Sequence, residues 1–345
     1  MTELSIFTLE QAKEWDAVVR SFRDYDVYWL SGYVKAFQIH GDGEPMLFFF
    51  DDGTTRGINV VMKRDIARDI QFKDQLETDC WFDFATPYGY GGWIIEGDDT
   101  ESLFRAYLDW LKNNGIISEF VRFHPLMKNH GACRDFYEIV RLGKVVHMDL
   151  SSPEIIWTNL TSENRNRNRK AVKNGVRVYH DNFPDIYEKF RVIYNKTMDR
   201  DHAAPYYYFE PVFYRSVLDE LPQNSQVFWA EKDEQVIAAS IMIYANGHMS
   251  YHLGGSLEEF NSLAPNNLIL LTAARWGCTN GYKTLLLGGG VGAHDDNLLR
   301  FKKTFYKGKL NHFFAGQKII DQDKYSLLVK MRNTPDNTFF PQYRA

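Results

Sequence analysis

The chain has 345 residues, 44% hydrophobic and 25% charged, the balance of a soluble globular protein long enough for two domains. A formal net charge of −5 argues against a general polyanion binder and confines any nucleic-acid contact to a local basic patch. Three widely spaced cysteines (Cys80, Cys133, Cys278), with no C-x-x-C pair, argue against a disulfide framework or structural zinc and fit a reducing cytoplasm.

The first residues lack a basic region followed by an apolar stretch, so no signal peptide is expected. Apolar runs such as residues 46–50 are too short to span a bilayer. Residues 9–22 have helical spacing, with Trp15, Val18, Val19 and Phe22 on one side. Residues 46–50 read as a buried strand, Asp51-Asp52-Gly53 as a turn, and 57–62 as the returning arm of a hairpin. The stretch 84–93 is too rich in glycine and proline for a regular element. Residues 100–112 form an amphipathic helix with Leu103, Phe104, Tyr107, Leu108 and Leu111 inward, and 120–123 form a strand.

Composition shifts near Leu150. Residues 145–150 read as a strand and Ser151-Ser152-Pro153-Glu154 as a helix start. Helices at 185–197 and 209–221 follow, then strands at 227–231, 236–244 and 248–253. A helix over 265–280 leads through Gly281 into a strand beginning at Thr284. This is an α+β order with an antiparallel meander, and the chain looks like two topologically similar halves.

The richest stretch for chemistry lies late in the chain. The strand Thr284-Leu285-Leu286-Leu287 ends on Gly288-Gly289-Gly290; Asp295-Asp296 then cap a short helix carrying Phe301, Lys302 and Lys303. A strand ending on glycines admits close approach of backbone or ligand, and a lysine on the next element can present positive charge to the same space. A basic run follows residue 164, with Arg165, Arg167, Arg169, Lys170 and Lys173; on a helix Arg165, Arg169 and Lys173 stack at four-residue spacing, with Asn174-Gly175 as the helix end. It is either a solvated face or a contact for phosphates, and the lack of acids over 165–177 favours phosphate. Between 198 and 209, Arg200, two acids, His202, Tyr206, Tyr207 and Tyr208 read as a ligand-lining loop, with Arg200 able to take a carboxylate or phosphate bidentately. Tyr251-His252-Leu253-Gly254-Gly255-Ser256 reads as a strand end where a freed N–H can meet an oxyanion, or as an ordinary turn. H-E-x-x-H, G-x-S-x-G and Walker motifs are absent, the histidines show no metal-ligand spacing, and Asp295-Asp296 would repel a dinucleotide phosphate from the late glycines.

Taken together, Arg169 to Val176, Met198-Asp199-Arg200, the Tyr251 to Ser256 run, Asn266-Asn267-Leu268, and the run from Gly281 through Gly290 to Phe305 resemble the FemAB-like branch of the GNAT (N-acetyltransferase-like) superfamily. The resemblance implies an α+β fold of two tandem GNAT-like (acyl-CoA N-acyltransferase fold) domains, with mixed, mainly antiparallel sheets flanked by helices. The first would span 1–150, with the tail 313–345 packing back on it, and the second 151–312, carrying the site. Characterised relatives move an amino acid from aminoacyl-tRNA to an amine of a cell-wall precursor; others serve polysaccharide pathways with different acyl donors. By the same resemblance Lys302, after Phe301, is the catalytic position, and Lys35 and Arg200 anchor an anionic precursor. The glycine-rich pyrophosphate loop of acetyl-CoA users is not visible, nor is an inserted coiled-coil arm.

The expected function is therefore cytoplasmic acyl or aminoacyl transfer to an amine of a cell-wall or polysaccharide precursor. Lys302 stabilises the oxyanion. Lys35, Arg200, Tyr206, Tyr207, Tyr251 and Phe301 contact the substrate, and Arg165, Arg167 and Arg169 meet donor phosphates. No metal and no tightly bound cofactor is expected; the donor is aminoacyl-tRNA or acyl-CoA, and neither DNA nor an integral membrane segment is involved. Two alternatives stand beside it: an acyl-CoA-dependent N-acetyltransferase acting on an amino sugar, and a non-catalytic protein that binds an anionic glycan or nucleotide-sugar.

Overall fold

The computed structural model describes residues 3–333 and 338–345. They divide into two compact units, one made of the described residues up to Leu142 with those from Phe313 onward, the other of Gly143–His312.

The first unit opens with β1 (Glu3–Phe7), α1 (Ala12–Arg20) and α2 (Ser31–His40). The expected 9–22 helix is shorter as an α-helix, because Leu9–Gln11 form a 3-10 turn; Trp15 and Val19 are buried as its spacing requires. Tyr33, Val34, Ala36 and Phe37 are all buried on α2, so it lacks the polar stripe by which a surface helix is recognised. Strands β2 (Glu44–Asp51) and β3 (Arg56–Asp65) form the expected hairpin, its turn closed by Asp52, which accepts from the Thr54 and Thr55 N–H groups. β4 (Phe82–Ala85) takes the start of the stretch expected to be irregular. β5 (Ile94–Glu96), α3 (Thr100–Asn113, capped by Asp99) and β6 (Ile116–Arg122) follow.

Along β7 (Glu138–Asp149) the chain passes into the second unit: α4 (Pro153–Asn159), α5 (Ser162–Lys173), β8 (Arg177–Asp181), α6 (Pro184–Arg200), α7 (Pro211–Glu220), β9 (Ser225–Lys232), β10 (Gln235–Ala245), β11 (His248–Ser256), α8 (Pro265–Thr279), β12 (Thr284–Gly288) and α9 (Asn297–Lys303). Strand β13 (Asn311–Ile319) and α10 (Gln322–Arg332) complete the first unit. The first unit's strands run β1-β2-β3-β4-β6-β13, with β5 on β3; those of the second run β7-β12-β11-β10-β9-β8. Among the described residues the strands of each unit pair antiparallel apart from one parallel pair, β4 with β6 in the first and β11 with β12 in the second. Each sheet is therefore mixed, mainly antiparallel and flanked by helices, as expected.

The core of the second unit gathers Val146, Met148, Phe228, Met242, Met249, Leu270, Ala274, Leu285, Leu287, Leu299 and Phe305 around α8. The C-terminal residues are pinned to the first unit. Tyr343 is fully buried and meets Ser118 and Asp83, while Arg344 grips Asp83 and Asp69. Burial alone would raise the Asp83 carboxyl; Arg64 and Arg344 outweigh it and hold it below the usual carboxylate range.

The first unit also buries a carboxyl without a cation in contact. Glu119 on β6 is fully buried and accepts from Tyr107 at 3.1 Å, Tyr137 at 2.9 Å and the Asn59 amide at 3.2 Å. Desolvation pushes it up to about 7, against the three hydrogen bonds and the more distant Lys318. An acid whose folded pKa lies above its unfolded value binds an extra proton only when folded, so its contribution to stability is full at low pH. It is lost as pH rises from the ordinary 4.5 to about 7. That loss amounts to about 3 kcal/mol at most. Glu119→Gln should therefore unfold with less dependence on pH between 5 and 8 than the parent chain, as read by urea midpoints; identical slopes would show that Glu119 is ionised throughout.

Candidate active site

Strands β11 and β12 pair in parallel through three rungs, His248 with Thr284, Met249 with Leu285 and Ser250 with Leu286. Both strands carry an irregularity just beyond. In the β10–β11 ladder Ile241 faces Leu253 but Met242 faces Tyr251, which leaves His252 as an extra residue. In the β12–β7 ladder Leu286 faces His147 but Gly288 faces Val146, which leaves Leu287 as one. Bulges bend a strand and increase its twist, so two neighbours that bulge at the same level part toward their carboxyl ends. A crevice at the carboxyl ends of parallel strands is the common ligand position of open α/β sheets.

Lys302 stands at this opening. Its Nζ donates to the Gly289 carbonyl, just past the end of β12, at 2.6 Å, and lies 5.9 Å from the centre of the Tyr251 ring on β11. The side chain is 7% exposed. Desolvation lowers its pKa to about 8, with the Asp296 carboxylate opposing. Asp296 meanwhile caps α9 by accepting from the Leu299 N–H and holds the preceding turn by accepting from the Val291 N–H, each at 2.8 Å. A β-carbon at Gly290 would fall on that carboxylate, so a glycine is required there. An ammonium has three N–H bonds; among the described residues Gly289 is the acceptor of one. Tyr251 is desolvated, its hydroxyl pushed up to about 12, and bonds Ser240.

A chain of polar groups that the sequence reading does not single out fixes α9 from behind. Asn168 donates to Asn164 Oδ1 at 2.6 Å, Asn164 donates to Thr304 Oγ1 at 2.7 Å, and Thr304 donates to the Phe301 carbonyl at 2.6 Å. The backbone adds a bond from the Thr161 N–H to the Thr304 carbonyl at 2.9 Å. Asn164 and Asn168 are buried, so these bonds form in low dielectric and hold α5 to the end of α9 firmly. The signal available for them was an N-x-x-x-N spacing hidden among arginines.

The basic row does not act as one row. Arg165 Nη1 donates to the Leu160 carbonyl at 2.5 Å, Arg167 pairs with Glu163 one turn earlier at 2.8 Å, and Arg169 lies over Trp157 with 5.3 Å to the ring centre. Arg167 is two residues from each of the others and so lies on another side of α5.

Arg200 is corrected from loop to helix, since α6 runs to that residue. It bonds Asp201 at 3.1 Å and the Ser256 carbonyl, at the end of β11, at 3.2 Å. Tyr206 and Tyr207 form a 3-10 turn after α6 and are exposed, with their rings edge to face at 5.4 Å. Phe301 packs partly buried against the core and Phe305, while its neighbour Lys302 takes the Gly289 carbonyl. Lys35 belongs to α2 of the first unit and is half-buried. The Gly254-Gly255 pair is not a strand end: both lie within β11, opposite Ser240 and Ala239. Gly255 is needed because a β-carbon there would meet the Tyr194 backbone of α6 at 2.9 Å. Among the described residues no group of three His, Cys, Asp or Glu could hold a metal ion, and no helix is long and apolar enough to cross a membrane.

Residues 161–303, from the cap of α5 to the end of α9, match the acetyltransferase (GNAT) domain family. No curated protein matches the chain in sequence. The fold resembles that of FemX over 94% of this chain and 99% of that one, with a TM-score of 0.68 and 14% identity. It also resembles L-PGS from Bacillus licheniformis (94% and 97%, 0.57, 13%) and a tandem GNAT protein from the clavulanic acid biosynthesis pathway (92% and 98%, 0.50, 8%).

The buried ammonium has a measurable signature. A lysine whose folded pKa is about 8 against an ordinary 10.5 is protonated in the unfolded chain, and neutral in the folded one, between those values. Stability contributed by this group therefore rises with pH across that window, by at most about 3 kcal/mol. Relative to Lys302→Met, the parent chain should gain stability in denaturant melts between pH 8 and 10; parallel curves would mean that Lys302 is solvated.

Proposed function

We propose that this chain, whose residues 161–303 match the acetyltransferase (GNAT) domain family and whose fold resembles that of FemX, transfers an acyl or aminoacyl group to an amine of a cell-wall or polysaccharide precursor. The observation that carries the reading is the nearly buried Lys302 ammonium held at the carboxyl-end opening between β11 and β12. In aminolysis of an activated carbonyl, the amine attacks the carbonyl carbon and negative charge collects on its oxygen. The leaving group then departs as charge returns and the new amide forms. A cation fixed beforehand in a site of low dielectric stabilises that oxygen without having to reorganise during the reaction. One N–H of Lys302 is spent on Gly289, which orients the ammonium and leaves two for the developing oxyanion.

Other chain residues take supporting parts in this proposal. Tyr251 walls the opening opposite Lys302 and keeps water from it. Arg200, held at the end of β11, anchors the anionic acceptor, with Tyr206, Tyr207 and Phe301 as further contacts for it. Arg165, Arg167 and Arg169 on α5 meet the phosphates of the donor, Arg169 and Arg167 being the more exposed. The proton released by the attacking amine leaves through substrate or water, since among the described residues no side chain stands out as general base.

A second reading, transfer from acyl-CoA, is favoured by the start of α8. That helix begins at Pro265 after Ala264 in the left-handed region, and no side chain caps its first N–H groups, which carry the positive end of the helix dipole. The donor is then a CoA thioester and not an aminoacyl-tRNA. Thermal-shift titration with CoA, acetyl-CoA and a UDP-linked muropeptide separates the two: stabilisation by CoA species alone selects the second reading.

Lys302→Met should lower turnover by about a hundredfold or more while leaving the circular dichroism spectrum unchanged. Because the protonated lysine does the work, kcat in the parent chain should fall as pH rises through about 8. Full activity in the variant would remove Lys302 from the chemistry.

A further inference from the structure

Strand β8 (Arg177–Asp181) is the edge of the second unit's sheet: β9 lies on one side, and among the described residues no strand pairs with the other. It is five residues of Arg-Val-Tyr-His-Asp, and Arg177, Tyr179, His180 and Asp181 are exposed. An uncovered edge presents a row of backbone donors and acceptors, a template for another strand. Tyr179 is 40% exposed and stacks on Trp229 of β9 at 5.9 Å between ring centres, and Phe183, 37% exposed, meets the same tryptophan edge-on at 6.0 Å. The edge is therefore flanked by an exposed aromatic group on one face of the sheet.

The side-chain pattern of this edge is its own complement. If two copies of β8 run antiparallel about a two-fold axis through Tyr179, Arg177 of each copy stands opposite Asp181 of the other, Val178 stands opposite His180, and the two Tyr179 rings meet. Residues 177, 179 and 181 share one face, so both ion pairs and the tyrosine pair form together on the side of Trp229. A register shifted by one residue would turn one copy over and set Arg177 against His180 or Val178 against Asp181, and a shift by two would set Arg177 against Tyr179 or Tyr179 against Asp181; either loses the charge match. A two-fold interface of this kind needs one patch that complements itself, which is what this strand offers.

We propose that β8 is a self-association edge, through which two copies of the chain join their second-unit sheets into one continuous sheet. The partner is a second copy of this chain, selected by the opposed ends Arg177 and Asp181. The contact is short, so the dimer forms in a concentration-dependent way and weakens in salt, because its two ion pairs sit at an exposed edge.

Sedimentation-equilibrium runs from about 1 to 100 μM, at 50 and 500 mM salt, test this on the full chain. The expected result is a monomer–dimer equilibrium, weaker at high salt. Arg177→Asp places acid against acid at both ends and should weaken the dimer at least tenfold. The double variant Arg177→Asp with Asp181→Arg reverses both ends together and should restore it. Tyr179→Ala, which removes the ring pair at the centre of the contact, should weaken it irrespective of salt. A chain that stays monomeric at 100 μM overturns the proposal, as does a dimer that Arg177→Asp leaves intact or that the double variant fails to restore. Circular dichroism of each variant separates loss of pairing from loss of fold.

Discussion

The candidate site depends on one geometric constraint, the parting of β11 from β12 after three parallel rungs. Every later feature uses that opening. The glycine run after β12 lets the chain turn without side chains in the way, and the Gly289 carbonyl becomes the acceptor that draws Lys302 inward. Asp296 closes the same turn from the other side while starting α9. A paired parallel ladder would have spent those backbone groups on each other, leaving no place for a buried ammonium.

Burying an ammonium opposes folding, and the structure offsets this with order around it. The Asn168–Asn164–Thr304 chain fixes α9 against α5, and Leu299 and Phe305 of the same region are buried in the core. The lysine can then sit where its charge is most effective electrostatically, in surroundings that lower its pKa to about 8. The first unit handles its buried acids differently. Asp83 is matched by two arginines, Arg64 and Arg344, and Glu119 by neutral donors, so one stays charged and the other is held near its titration point.

Much of the second unit was legible in the residues. Alternation and turn chemistry place β9, β10 and β11 within a few residues, and Lys302 and Tyr251 stand together as candidate groups of one opening. The arginines of α5 were readable as a row but not as three separate contacts, because the row reads the same whether each guanidinium faces solvent, Glu163 or Trp157. Strand β8, four of whose five residues carry charge or a polar ring, gives no strand signal of the usual apolar kind; its place on β9 comes from long-range pairing.

By itself the sequence determines much of the order of helices and strands, the capping acids and the glycines at the end of β12, since these follow from local periodicity and backbone freedom. Tertiary structure alone decides that β11 and β12 run parallel and then part, that Lys302 is buried on the Gly289 carbonyl, and that Asn164 reaches Thr304 across 140 residues. These rest on registers between distant segments, and a one-residue change in register would turn each of those side chains to another face while leaving every local signal unchanged.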